Sequence, residues 1–126
     1  KMSVVSSTPS VHLTALSNYI ECVCSEMGYT TNEVLGPSRK REIVDLRHLL
    51  MVITRYEFSL STPRVGDYFN RNHATVVHAC HKMKVLLNTN QIDLNLSQSL
   101  FCAEAVMLNQ WGHKLKTIEK WRTQKK

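Results

Sequence analysis

From Asn70 to Lys84 the sequence reads N-R-N-H-A-T-V-V-H-A-C-H-K-M-K, and these residues carry its strongest structural signal. Asn72 is well suited to begin a helix, because its side-chain oxygen can accept a hydrogen bond from an unpaired backbone N–H of the first turn. Behind it, apolar residues recur at steps of three and four, which is typical of a helix with one buried face. We expect that face to consist of Val76, Val77, Cys80, Met83 and Leu87.

The residues just before this helix predict a second, shorter helix. Pro63 suits a first helical turn because it has no N–H to leave unpaired, and Thr62 before it is the predicted N-cap. The short helix runs to Phe69 and contains Gly66, which costs about 1 kcal/mol relative to Ala, so we expect another helix to pack closely against its bare backbone. With the turn at residues 70–72, the two helices form a helix-turn-helix, whose second helix offers its N-terminal residues to the bases of DNA.

The rest of the sequence also favours an all-α fold, because Gly and Pro are few and no segment alternates with a period of two. Further helices are predicted at residues 10–27, 30–35 and 39–56. Arg47 falls off the apolar stripe of the last of these and is expected to face outward. Near the C-terminus, one long helix and two helices broken at Gly112 both fit an apolar stripe. That stripe consists of Leu96, Leu100, Ala103, Met107, Trp111, Leu115 and Ile118.

We divide the chain into a flexible leader (residues 1–9), a DNA-binding domain (10–90) and a helical extension with a basic tail (91–126). The stripe in the extension either covers the domain's own core, which we favour, or pairs with a second copy as a homodimer. No apolar run is long enough to cross a bilayer, and no signal peptide is recognisable. We therefore expect a cytoplasmic protein.

Positive charge is concentrated in two parts of the sequence. The net charge is +6, and residues 38–84 hold nine Lys and Arg against four Asp and Glu, while residues 114–126 hold six against one. By contrast, residues 2–37 contain three Glu and neither Lys nor Arg. Such clustering is typical of a surface that binds a polyanion, although an ordinary solvated basic surface is the alternative.

Cysteine and histidine spacing argues against a metal site. Cys22 and Cys24 match neither the zinc spacing nor the redox C-x-x-C motif, so we expect free thiols that pack as small apolar groups. His73, His78 and His81 do not converge on one point of a helix. We expect no metal, no cofactor and, since no catalytic constellation stands out, no enzyme.

The opening stretch resembles the signature of the C-terminal DNA-binding domain of the bacterial replication initiator DnaA, whose pattern is close to G-x-R-D-H-T-T-V-x-H-A. The resemblance continues through residues 38–51 and 60–69, and covers roughly residues 16–88. It implies a helix-turn-helix bundle of the Trp-repressor-like type, here with an extra C-terminal helix or helix pair. It also implies sequence-specific binding of double-stranded DNA, in origin recognition or regulation of replication initiation, at the bacterial nucleoid.

The resemblance assigns groove contacts to the long helix before the helix-turn-helix. Arg39 matches an Arg that enters the minor groove, and Arg47 matches an Arg that contacts bases near the major groove. His48 stands where the family usually has Gln, and we count it among the base or groove contacts.

The resemblance also assigns base contacts to the amino end of the recognition helix. His73 and Thr75 match the family, whereas Asn72 replaces Asp and Ala74 replaces Thr. These departures predict that DNA binding persists while the preferred site differs from the family's box. Phosphate contacts are expected from Lys40, Arg41, Arg55, Thr62, Arg71, Lys82 and Lys84.

The sequence contains no G-x-x-x-x-G-K-[ST], so we expect no nucleotide binding and no ATPase activity. A fragment of a larger initiator and a small stand-alone protein both remain open, and the C-terminal stripe favours the second. The alternative function is a protein-interaction module that kept the fold but lost DNA binding, with Trp111, Trp121 and Met107 as its interface.

Overall fold

The computed structural model describes residues 4–124, with side chains from Leu13 onward, and in this part of the chain it contains helices and no strands. The predicted all-α class is therefore confirmed. In chain order the helices are α1 (Val4–Glu26), α2 (Thr31–Leu35), α3 (Arg41–Tyr56), α4 (Thr62–Phe69), α5 (His73–Asn88), α6 (Leu94–Trp111) and α7 (Lys116–Thr123).

Helix α3 lies at the centre of the molecule, packed against α2, α4, α5 and α6. Ten of its sixteen residues are buried, including the polar Asp45, Arg47 and Thr54. A helix that is buried around most of its circumference belongs to a core rather than to a surface. Its position fixes the helices around it, including the pair that forms the helix-turn-helix.

Helix α1 begins earlier than predicted. It starts at Val4 instead of near residue 10, and residues 1–3 lie outside the described part. Further along α1, the Tyr19 hydroxyl donates to the Ala103 carbonyl of α6 at 2.8 Å, and its ring lies near those of Phe58 and Trp111. This buried contact joins α1 to α6.

The C-terminal region forms two helices rather than one. Gly112 adopts the left-handed conformation (φ +75°) and ends α6, which then packs on α1 and α3 while α7 packs on α5. Met107 and Trp121, two of the three residues expected at the interface of an interaction module, are only 1% and 6% exposed, so that expectation is wrong for both. Within residues 4–124, no helix combines the length and apolar character needed to span a membrane.

Helices α4 and α5 form the predicted helix-turn-helix, with two corrections. The N-cap of α4 is Ser61, whose hydroxyl accepts from the Arg64 N–H, and not Thr62. Gly66 is required by the turn rather than by another helix, because a Cβ there would lie 2.6 Å from the Arg71 carbonyl oxygen. The Arg71 N–H donates to the Gly66 carbonyl at 2.8 Å, which holds the turn against α4.

Candidate nucleic-acid interface

The amino end of α5 is capped and open to solvent. Asn72 has extended backbone angles, and its side-chain oxygen accepts from the Ala74 N–H at 2.8 Å, as predicted for an N-cap. Asn72, His73 and Ala74 are exposed and Thr75 is half-buried, whereas Val76 is fully buried. The predicted base-contacting residues of this helix therefore lie together at an accessible helix end.

The outward face of α5 contains residues that sequence reasoning missed. Val77 was expected in the core but is 50% exposed, because Val76, Cys80, Met83 and Leu87 already fill the buried face. At about 100° per residue, position 77 turns away from position 76. Val77, His78 and His81 lie on the exposed side together with Ala74. The helical spacing of the four buried residues was the signal that could have placed Val77 outside.

Arg47 does not face outward, and this expectation is wrong. Its side chain is 5% exposed, and its guanidinium donates to the carbonyl oxygens of Val34 at 2.7 Å, Gly36 at 2.9 Å and Ser38 at 2.9 Å. Helix α2 ends at Leu35, so these carbonyls include helix-end acceptors that need donors. Residues 34–38 thus lie over the side of α3 where a DNA-facing Arg47 was expected.

Arg71 lies in the turn between α4 and α5 (residues 70–72, the recognition turn) and binds the same loop. Its guanidinium donates to the carbonyls of Leu35 at 3.0 Å, Phe69 at 2.7 Å and Gly36 at 2.6 Å. The Gly36 carbonyl therefore accepts from both arginines, and burial together with the charge of Arg71 lowers the pKa of Arg47. The two side chains tie the α2–α3 loop to α3 and to the recognition turn.

Arg39 lies where this loop meets the turn. Arg39 is exposed, and so is Lys40, which is the N-cap residue of α3 although its side chain makes no capping hydrogen bond. A cavity of about 550 Å³ is lined by Arg39 and Arg47 from one side and by Asn70 and Arg71 from the other. The structure thus brings Arg39 next to the recognition turn, as a groove contact beside α5 would require.

His48 and Lys82 contact each other between α3 and α5. The Lys82 ammonium can only donate, so the His48 Nδ1 at 3.1 Å is an acceptor and the imidazole is neutral. Burial first, and then the charge of Lys82, lowers the pKa of His48 to about 4. Lys82 also lies 3.8 Å from the Asp45 carboxylate. The side chains of His48 and Lys82 are both half-buried, so neither is exposed to solvent as a base-contacting side chain would be.

The other predicted phosphate contacts have intramolecular partners or partial burial. Arg41 pairs with Asp93 at 2.6 Å, and Arg55 donates to the Leu60 carbonyl at 3.3 Å. The Lys84 ammonium lies 6.0 Å from the centre of the Trp121 ring, and Thr62 is half-buried at the start of α4. Whether any of them contacts a phosphate stays a prediction.

Metal-binding side chains do not converge within the described residues, where no group of three or more His, Cys, Asp and Glu could hold an ion. Cys22 is exposed, Cys24 and Cys80 are buried, Cys102 is half-buried, and all are free thiols.

A capped and exposed recognition helix, held by a tight turn against a shorter helix, defines a helix-turn-helix protein of the DNA-binding class. The family model described as "Bacterial dnaA protein helix-turn-helix" matches residues 17–83, which is more than half of the chain. The chain belongs to this family.

Its relatives include initiator proteins from several bacteria. The chromosomal replication initiator protein DnaA of a Synechococcus strain is 40% identical over 67 residues, which is 52% of this chain and 14% of that protein. DnaA 1 of Chlamydia pneumoniae is 33% identical over 94 residues, or 75% of this chain and 20% of that protein. The chain thus spans only a small part of each relative's length. No solved structure matches it.

Proposed function

We propose that this chain binds double-stranded DNA sequence-specifically through the amino end of α5, in origin recognition or regulation of replication initiation. The observation that carries the proposal is the exposed row of Asn72, His73 and Ala74 at a capped helix end, within a family-matching helix-turn-helix. The relatives' names, chromosomal replication initiator proteins, support the link to replication. The nucleoid is where such binding takes place.

We assign the base contacts to the amino end of α5 and to Arg39. His73 and Asn72 offer imidazole and amide groups to base edges, and Ala74 offers a methyl group that suits a thymine methyl, with Thr75 beside them. Arg39 suits a narrow minor groove next to the turn. Arg47 and His48 would have to leave their present partners to reach a duplex, so we propose that they act by positioning Arg39 and α5.

Phosphate contacts supply the affinity in this proposal. The segment at residues 38–84 has five more basic than acidic residues, and Lys40 lies exposed in it beside Arg39. Each neutralised phosphate releases a counterion, so binding must weaken steeply as salt rises. The proposal includes no ATPase chemistry, because the sequence has no G-x-x-x-x-G-K-[ST] motif.

The proposal is tested by selecting bound sequences from a random duplex pool and titrating the winner against random duplexes at two salt concentrations. We expect a clear preference for the winner, and affinity for both that falls steeply with salt. In the His73→Ala variant, discrimination should fall by roughly fivefold or more, since a specific base contact is worth about 1–3 kcal/mol.

His113→Ala is the matched control, because His113 lies in the loop between α6 and α7 rather than on α5. It should bind and discriminate like the unaltered chain. Equal affinity of the unaltered chain for every duplex, or unchanged discrimination in His73→Ala, would contradict the proposal.

A further inference from the structure

Helix α6 carries an exposed apolar row that the proposed DNA interface does not use. Of the seven large hydrophobic side chains exposed in the described part of the chain, four lie on α6. They are Leu94 at 75%, Phe101 at 75%, Leu108 at 43% and Trp111 at 41% exposure. The first three are seven residues apart, so they follow one another along one face of the helix. Apolar side chains aligned on one face of a helix are typical of an interaction surface, whereas apolar residues exposed singly are not.

The row is almost free of charge in a strongly basic molecule. Between Leu94 and Trp111 the only charged residue is Glu104, and its carboxylate accepts from the Leu115 N–H at 3.2 Å, toward the start of α7. The whole chain has a net charge of +6. Two copies would repel each other through their basic faces but meet without that penalty along α6. The groove beside Phe101 is lined by Lys114 and Arg122 together with Glu104 and Glu119, so the charges around the row balance.

The row is also complementary to itself. Leu94 and Leu108 lie seven residues on either side of Phe101, and the small residues Ser97 and Ala105 lie four residues on either side. All five are exposed. When two such helices run antiparallel across a two-fold axis at Phe101, Leu94 of each copy meets Leu108 of the other. A contact between identical surfaces requires this kind of symmetry.

Space for the bulky Phe101 ring is present on both sides of the row. Phe101 borders a groove of about 440 Å³ that reaches α7 at Ile118, and another of about 510 Å³ that reaches the end of α1 at Met27. Ser97 also borders both grooves, and because its side chain is small, it leaves little volume between them. The ring of a second copy can therefore enter beside the small residues instead of colliding with them.

We propose that two copies of this chain associate through the Phe101 row, with their α6 helices antiparallel and the two-fold axis at Phe101. Helix α6 packs on α1 and α3, whereas α5 packs on α3, α4 and α7. Association through the outer side of α6 therefore leaves the amino end of α5 accessible. The proposal does not depend on DNA binding, and its test is made without DNA.

The oligomeric state is tested by light scattering and sedimentation equilibrium of the full chain over a wide range of concentrations. We expect a monomer that becomes a dimer, and no larger species, as concentration rises. Phe101→Ser should weaken association by about tenfold or more, because central aromatic residues dominate such contacts. Val85→Ser is the control, since Val85 is 42% exposed on α5, away from the row, and should associate like the unaltered chain. Circular dichroism verifies that both variants are folded.

The register is tested by disulfide trapping in a chain whose Cys22 and Cys102 are changed to Ser. Leu94→Cys chains and Leu108→Cys chains, mixed and mildly oxidised, should form mixed disulfide dimers, while each alone should form few. Efficient cross-linking of each variant with itself would overturn the antiparallel register. A monomer at every concentration, a mass that grows beyond the dimer, or unchanged association in Phe101→Ser would overturn the interface.

Discussion

Arg47 is a buried cation that donates to the carbonyl oxygens of Val34 at the end of α2 and of Gly36 and Ser38 in the α2–α3 loop. Removing its guanidinium leaves these acceptors short of donors in a partly buried place, which costs about 1–3 kcal/mol. We therefore expect Arg47→Ala to lower the free energy of unfolding by that amount, measured by urea denaturation. Arg47→Lys should recover only part of it, because an ammonium cannot reproduce the planar fork.

The control for this prediction is Arg39→Ala, since Arg39 is exposed on the same segment. Its free energy of unfolding should stay within about 0.5 kcal/mol of the unaltered value. If Arg47→Ala proves as stable as Arg39→Ala, the loop does not depend on Arg47.

His48 links stability to pH. Burial and then the charges of Lys82, Arg47, His78 and Arg71 lower its pKa in the folded protein from 6.5 to about 4. Between these values the unfolded chain binds more protons at His48 than the folded protein does, so this residue makes stability fall as pH falls from 6.5 to 4. His48→Gln, which keeps an acceptor for Lys82, should reduce that slope in urea denaturation at several pH values.

His81→Gln is the matched control, because His81 is exposed on the outward face of α5. It should keep the slope of the unaltered chain. A His48→Gln variant with the same slope as His81→Gln would show that His48 is protonated equally in both states.

The helix-turn-helix depends on how closely the turn approaches α4 at Gly66. Replacing Gly by Ala inside a helix normally stabilises it by about 1 kcal/mol. Here the added Cβ would lie 2.6 Å from the Arg71 carbonyl oxygen and 3.4 Å from the His73 nitrogen, so backbone must move. We expect Gly66→Ala to destabilise the protein by about 1–3 kcal/mol in thermal or urea denaturation and to displace the start of α5.

Asp67→Ala serves as the neighbouring control, because Asp67 is exposed in the same helix. Its stability should change by no more than about 0.5 kcal/mol. A Gly66→Ala variant as stable as Asp67→Ala would show that the turn can move away from α4 without a loss of stability.

Local chemistry was enough to predict most of these elements. The cap at Asn72 and the short helix α2 each follow from one or two residues with strong backbone preferences, whereas the break at Gly112 was one of two alternatives that the sequence left open. The N-cap of α4 was placed one residue too late, because Ser61 and Thr62 both carry a hydroxyl that can cap a helix ahead of Pro63. The start of α1 was missed because a Ser- and Thr-rich segment gives little periodic signal for or against a helix.

The sequence could not reveal which surfaces lie under loops. Periodicity placed Arg47 off the apolar stripe of α3, but a stripe reports only the angle of a side chain around its own helix. The cover supplied by residues 34–38 comes from tertiary packing, as does the pairing of Lys82 with His48 across two helices. The amino end of α5 was predictable because no other element was needed to define it.

The carbonyl of Gly36, which accepts from both Arg47 and Arg71, has a consequence for engineering. Transplanting the recognition helix into another scaffold, with the turn alone, would discard the anchor that sets its angle. A graft intended to keep that angle must carry residues 34–38, both arginines and the turn as one unit.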